Sequence, residues 1–189
     1  MNARRFAVAA WALAGAAGLA AAVASAAGYQ LNTTASAPTG LWRVTPVEAQ
    51  KIRRGNFVSI CPPEIRIVEA MRVKGYLHPG DCPGTDTTPL LKPVVAIEGD
   101  SVTVSREGVS VNGVSLPHSE ADQTMPGYPA GTYTVQPGQV WLISSYDAGS
   151  FDSRYFGPVP LALVRGQAAP VLIHGDTSTM TAGEIAHDS

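Results

Sequence analysis

Hydrophobic and polar positions divide this chain into two textures. After Arg4 and Arg5, no Asp, Glu, Lys or Arg occurs until Arg43. Phe6 to Gly28 is a 23-residue run of Ala, Val, Leu, Gly, Phe, Trp and one Ser. As a helix rising about 1.5 Å per residue, it reaches roughly 35 Å, enough for a hydrocarbon core of about 30 Å. The run therefore predicts a transmembrane helix that contacts the bilayer through residues 6–28. The arginines before it read as the cytoplasmic flank, which places the remainder on the outer side. A cleaved secretory signal is the alternative, because Ala24-Ser25-Ala26 has the small-x-small pattern of a cleavage site. Both readings export the rest of the chain.

Beyond Gly28 the pattern is β. Short alternating or apolar runs are broken by Gly and Pro every eight to twelve residues. Strands are expected at 55–60, 92–97, 101–104, 109–113, 132–135, 139–143 and 161–168. One stretch has helical spacing. Ile65, Val68 and Met71 recur every third residue, Pro63 suits a first turn, and Gly75 suits a stop, so a helix is expected over 63–72. Residues 117–130 contain three prolines and read as a loop. The expected organisation is an anchor or signal segment over 1–28, an extracytoplasmic domain over 29–175, and a Thr/Ser-rich, poorly ordered tail over 176–189.

Composition narrows the function. The chain has 189 residues with 13 basic and 15 acidic side chains, a net charge of −2, and 15% charged residues. Lacking a basic block, it has no electrostatic footprint for nucleic acid. The two cysteines, Cys61 and Cys82, bracket the expected helix and suit a disulfide in an oxidising compartment. Two isolated cysteines and four scattered histidines (His78, His118, His174 and His187) form no metal-ligand pattern, so neither metal nor cofactor is expected.

Three blocks carry candidate chemistry. Ser36 lies in a Pro/Gly-rich segment shortly after the apolar run, where a serine ordinarily just makes a turn. It becomes a nucleophile only beside a base. Lys92 heads an apolar strand, and desolvation there favours its neutral amine. Asp152 and Arg154, two apart in Ser150-Phe151-Asp152-Ser153-Arg154-Tyr155-Phe156-Gly157, can pair within a turn.

Taken in order, these blocks resemble the membrane-bound type I signal peptidases. A serine box comes just after the membrane segment (Thr34-Ala35-Ser36-Ala37-Pro38-Thr39), then a strand start at Arg54-Gly55-Asn56. Next come a lysine box (Lys92 to Asp100) and the Ser150–Gly157 box. The resemblance implies a mainly β fold: a β-barrel or coiled β-sheet catalytic domain with one small helical insertion and an N-terminal transmembrane helix. It implies Ser36 as nucleophile, Lys92 as general base, and Ser150 as the hydroxyl that positions the lysine. It implies Asp152, paired with Arg154, as a further support of the lysine, and Thr34 as a hydroxyl that helps bind the oxyanion.

The short serine box Ser36-Ala37-Pro38-Thr39-Gly40-Leu41-Trp42 and the segment from Cys61 to Lys92 resemble one subgroup, the TraF-type conjugative-transfer peptidases. That subgroup implies an enzyme of the inner membrane, single-pass, with its catalytic domain in the periplasm and an exported prepilin as partner. Some members cleave the pilin and also join its ends. The alternatives are a general type I signal peptidase and a non-catalytic assembly factor of a secretion system.

Overall fold

A computed structural model of the protein describes residues 3–177. The first element, α1, is a helix over Ala3–Ala26, and its stretch Phe6–Ala26 is long and apolar enough to cross a membrane. Trp11, Leu13, Leu19 and Val23 stand exposed along it, as a lipid-facing helix requires. Most of the expected tail lies outside the described residues.

The rest is mainly β, as the alternation predicts. In chain order the strands are β1 (Tyr29–Asn32), β2 (Thr39–Thr45), β3 (Phe57–Ile60), β4 (Leu90–Ala96), β5 (Ser101–Ser105), β6 (Gly108–Val111), β7 (Val114–Ser115), β8 (Gly131–Thr134), β9 (Gln139–Leu142), β10 (Val159–Pro160) and β11 (Val164–His174). A seven-stranded antiparallel sheet has the order β1-β2-β11-β3-β4-β9-β10, and a second sheet the order β7-β6-β5-β8. Val95, Val102, Val111, Trp141 and Ile143 share a buried cluster that joins the sheets.

Several boundaries differ from the expectation. β1 and β2 flank the serine segment, where no strand is expected from the sequence. β11 runs to His174 rather than ending at 168. It continues past Pro170, which has no N–H to give, by shifting register between Pro170 and Leu172. Gly40 of β2 makes that pairing possible: a Cβ there would stand 2.2 Å from the Leu172 carbonyl oxygen, and φ is +130°.

The expected helix is α2, over Arg66–Val73. Its start is later than 63 because Ile65 caps it in extended conformation (φ −132°, ψ 161°). Ile65 therefore leaves the helical phase and is 40% exposed, while Val68 and Met71 are buried as expected. Lys74 caps the helix, and Gly75 follows it with φ +75°, suited to a helix end. Cys61, just after β3, bonds Cys82, so the excursion carrying α2 is clipped to the sheet. Val68 and Met71 pack with Phe151, Tyr155 and Phe156, which ties the insertion to the Ser150–Gly157 turn. That turn contains a one-turn helix, α3 (Ser153–Phe156), capped by Asp152.

Candidate active site

A cleft of about 760 Å³ opens beside the end of α1. Thr34 and Ser36 line it from the β1–β2 turn, and Leu91 and Lys92 from β4. Three strands of the large sheet lie between β1 and β4, so the sheet coils to bring both onto one cavity. Tyr76 and His78 of the insertion line it as well.

The serine turn is laced from inside by Asn32, the last residue of β1. Its Nδ2 donates to the carbonyls of Thr34 (3.0 Å), Ala37 (2.9 Å) and Pro38 (3.1 Å). Its Oδ1 accepts from the Thr34 N–H (3.2 Å) and the Thr34 hydroxyl (2.9 Å). Trp42 Nε1 adds a bond to the Pro38 carbonyl at 2.9 Å. Ser36 is thus held at 8% exposure, its Oγ 3.1 Å from Thr34 Oγ1. Asn32 was not singled out by sequence reasoning. The available signal was an Asn at a strand end before a turn, where its amide can mimic backbone.

Lys92 sits in β4 opposite Val58 and is 3% exposed. Its Nζ donates to Ser150 Oγ at 2.7 Å. Burial pushes its pKa down from 10.5 to about 8. The charge of Asp152 works the other way, Arg154 reinforces the drop, and Asp147 opposes it. The hydrogen bonds of Lys92 Nζ and Ser36 Oγ run to Ser150 and Thr34 rather than to each other.

Asp152 and Arg154 form a buried pair, at 0% and 1% side-chain exposure. Asp152 Oδ1 accepts from Arg154 Nε (2.9 Å) and the Arg154 N–H (3.1 Å). Oδ2 accepts from the Ser144 N–H (3.0 Å) and Arg154 Nη2 (3.1 Å). None of these donors is Lys92, so Asp152 reaches the lysine through charge and through the shape of the turn. Arg154 spends its remaining donors on the carbonyls of His118, Glu120, Ala148 and Ser144. This satisfies the guanidinium and fastens loop 117–130 to the site.

The arrangement therefore offers a buried hydroxyl and a buried amine of lowered basicity on one cleft, with the amine held by a second hydroxyl. Among the described residues there is no cluster of metal-ligating side chains.

The chain is similar to several known proteins. Residues 3–173 match the family model described as signal peptidase, peptidase S26. A plasmid transfer protein TraF of Escherichia coli is 40% identical over 166 residues, covering 84% of this chain and 90% of the relative. A conjugal transfer protein TraF of Agrobacterium fabrum is 39% identical over 150 residues, covering 76% and 82%. A solved signal peptidase I of Enterococcus faecalis is 20% identical with a TM-score of 0.36, covering 62% of this chain and 96% of that one. The chain belongs to the peptidase S26 family of signal peptidases.

Proposed function

We propose that this protein is a membrane-anchored serine endopeptidase in which Ser36 is the nucleophile and Lys92 the general base. Its substrate is an exported precursor, the prepilin of a conjugative transfer system. The observation that carries the reading is the placement of Ser36 and Lys92 on one cleft, with the lysine buried and its pKa pushed to about 8. The conjugal-transfer names of relatives about 40% identical over most of the chain support the prepilin as substrate. Residues 6–28 anchor the enzyme in the inner membrane, and residues 29–175 act on the periplasmic side.

Neutral Lys92 removes the Ser36 proton as Oγ attacks the scissile carbonyl. Among the described residues the Ser36 N–H has no backbone partner. It faces the developing oxyanion, and one such donor lowers the barrier by about 3 kcal/mol. Ser150 holds Nζ through the transfer. Protonated Lys92 then donates to the leaving amine, and the acyl-enzyme is resolved by water or by an incoming amine. The resemblance assigns the Thr34 hydroxyl to the oxyanion too, but here that hydroxyl donates to Asn32 and must let go before it can serve.

The test is incubation of the full chain, in detergent, with a conjugative prepilin, then mass measurement of the products. Cleavage that disappears in Ser36→Ala is the expected result. An intact prepilin, or equal cleavage by Ser36→Ala, refutes the reading. A product lighter than the linear fragment by one water marks cyclisation.

A further inference from the structure

The cleft has a buried floor and an exposed mouth. Ser36 and Lys92, at 8% and 3% exposure, belong to the floor, whereas Tyr76 of the disulfide-clipped insertion lines the same cleft and is 54% exposed. The mouth carries apolar surface from two sides. Tyr76, Pro89 and Leu90 come from the insertion and the strand it leads into, and Leu31, 67% exposed, comes from β1. Large apolar side chains facing one cleft gain free energy when something covers them.

The insertion holds this wall in a fixed shape. Leu77 is buried in the core, and Tyr76 and His78 on either side of it are exposed on the cleft. The Tyr76 N–H donates to the Met71 carbonyl at 2.9 Å, and the Thr88 N–H to the His78 carbonyl at 2.8 Å. Cys82 is bonded to Cys61, and Asp81 beside it pairs with Arg165 of β11 at 2.7 Å. A fixed backbone therefore presents the Tyr76 ring, and an aromatic side chain with few torsions loses little entropy when it is covered.

We propose that Tyr76 is a specificity-determining residue: at the mouth of the cleft it binds an apolar or aromatic side chain of the precursor, at a position along the chain from the scissile bond. The proposal rests on Ser36 and Lys92 cutting in this cleft. The occupant is the precursor because mouth and floor are one cavity. A chain lying in it with one carbonyl at Ser36 places neighbouring residues against the insertion. A contact so far from the reacting bond is made equally in the ground and transition states, so it lowers KM and leaves kcat unchanged.

The experiment measures kcat and KM for the full chain in detergent. The substrates are peptides lengthened one residue at a time, in both directions, from the bond cut in a conjugative prepilin, starting with the shortest that is cleaved. For the wild type, kcat/KM should step up about tenfold or more at one length, through KM. The step should vanish in Tyr76→Ala, persist in Tyr76→Phe, and vanish for the wild type when the peptide residue that produces it is changed to Asp. Peptides shorter than the step should be cut alike by all three enzymes, which also shows that the variants are folded.

No step at any length, or a step that survives Tyr76→Ala, overturns the proposal. So does a Tyr76→Ala loss that is the same for the shortest and the longest peptide, because the insertion then only supports the reacting groups. A step lost in Tyr76→Phe assigns the contact to the hydroxyl and removes the apolar subsite. A Ser36→Ala enzyme that still cuts the shortest peptide is a separate failure, that of the nucleophile assignment.

Discussion

Replacing Lys92 by Met should make the protein inactive and more stable. Lys92 is buried and ionises with a pKa of about 8, against 10.5 in the unfolded chain. Between these values the unfolded chain binds more protons, so wild-type stability rises with pH across that window. Below pH 8 both states are protonated and the cost of burying the charge is constant. Above 10.5 both are neutral and the cost is gone. The gap corresponds to roughly 3 kcal/mol of stability withheld at pH 7. Met has a similar length and carries no charge, so it recovers that amount. It gives back about 1 kcal/mol for the lost bond to Ser150. The net gain is about 2 kcal/mol, or roughly 4–8 °C in melting temperature for a chain of this size.

Urea unfolding of wild type and Lys92→Met from pH 6 to 10.5 measures this directly. The advantage of Lys92→Met should be flat below pH 8 and shrink as pH rises toward 10.5. A variant less stable than wild type at pH 7, or an advantage that ignores pH, refutes the idea that burial withholds the proton. The same shift matters for turnover. With a pKa of about 8, roughly one lysine in ten is neutral at pH 7, against roughly one in three thousand for an ordinary lysine.

The remaining predictions concern the same site and its supports. kcat/KM should rise with pH through about 8 as Lys92 loses its proton, and a profile already flat below pH 7 would argue against a lysine base. Arg154→Ala removes a charge that lowers the Lys92 pKa, so this limb should move to higher pH. Asp152→Asn should move it to lower pH, and a limb fixed in both variants makes the pair a structural latch alone. Each of those variants also breaks a buried pair and should cost about 3–5 kcal/mol in denaturant unfolding. Replacing Cys61 and Cys82 together by Ala should cost about 3 kcal/mol, read from the same unfolding curves, and no change would mean the clip is dispensable.

How far each element could be read in the sequence depends on how local its signal is. The α1 helix is written in composition alone. Val94 and Val95 announce β4, which carries Lys92 as its third residue, and the Asp152/Arg154 spacing lies within one turn. The disulfide could be read because Cys61 and Cys82 are the only cysteines. β1 and β2 were missed because their signal is their pairing: Tyr29 to Asn32 oppose Arg43 to Gly40, and β11 covers the far side of β2. Pro170 ended the expected strand too early for the same reason, since a register shift shows only against a partner. Asn32 was hidden because its bonds reach along a turn whose path no periodicity records. The partners of Arg154 in loop 117–130 are backbone carbonyls, and a carbonyl leaves no mark in residue type.

The Asp152–Arg154 pair resolves a conflict that the site would otherwise contain. A lysine base needs a dry setting to be neutral, and a dry setting magnifies any nearby carboxylate. Asp152 alone would therefore hold the proton on Lys92 and keep it from serving as the proposed base. Instead, four donors converge on its two oxygens, and three belong to Arg154. The carboxylate is thereby engaged by the arginine and turned to holding the backbone at Ser144 and the start of α3. Lys92 is left with a neutral hydroxyl, Ser150, as its hydrogen-bond partner. A hydroxyl can accept from either protonation state of the amine, so it fixes the position of Nζ without choosing the charge. Position is thus supplied by Ser150 and rigidity by Asp152 and Arg154. The pKa is set mainly by burial, and for that reason it remains low with an aspartate close by.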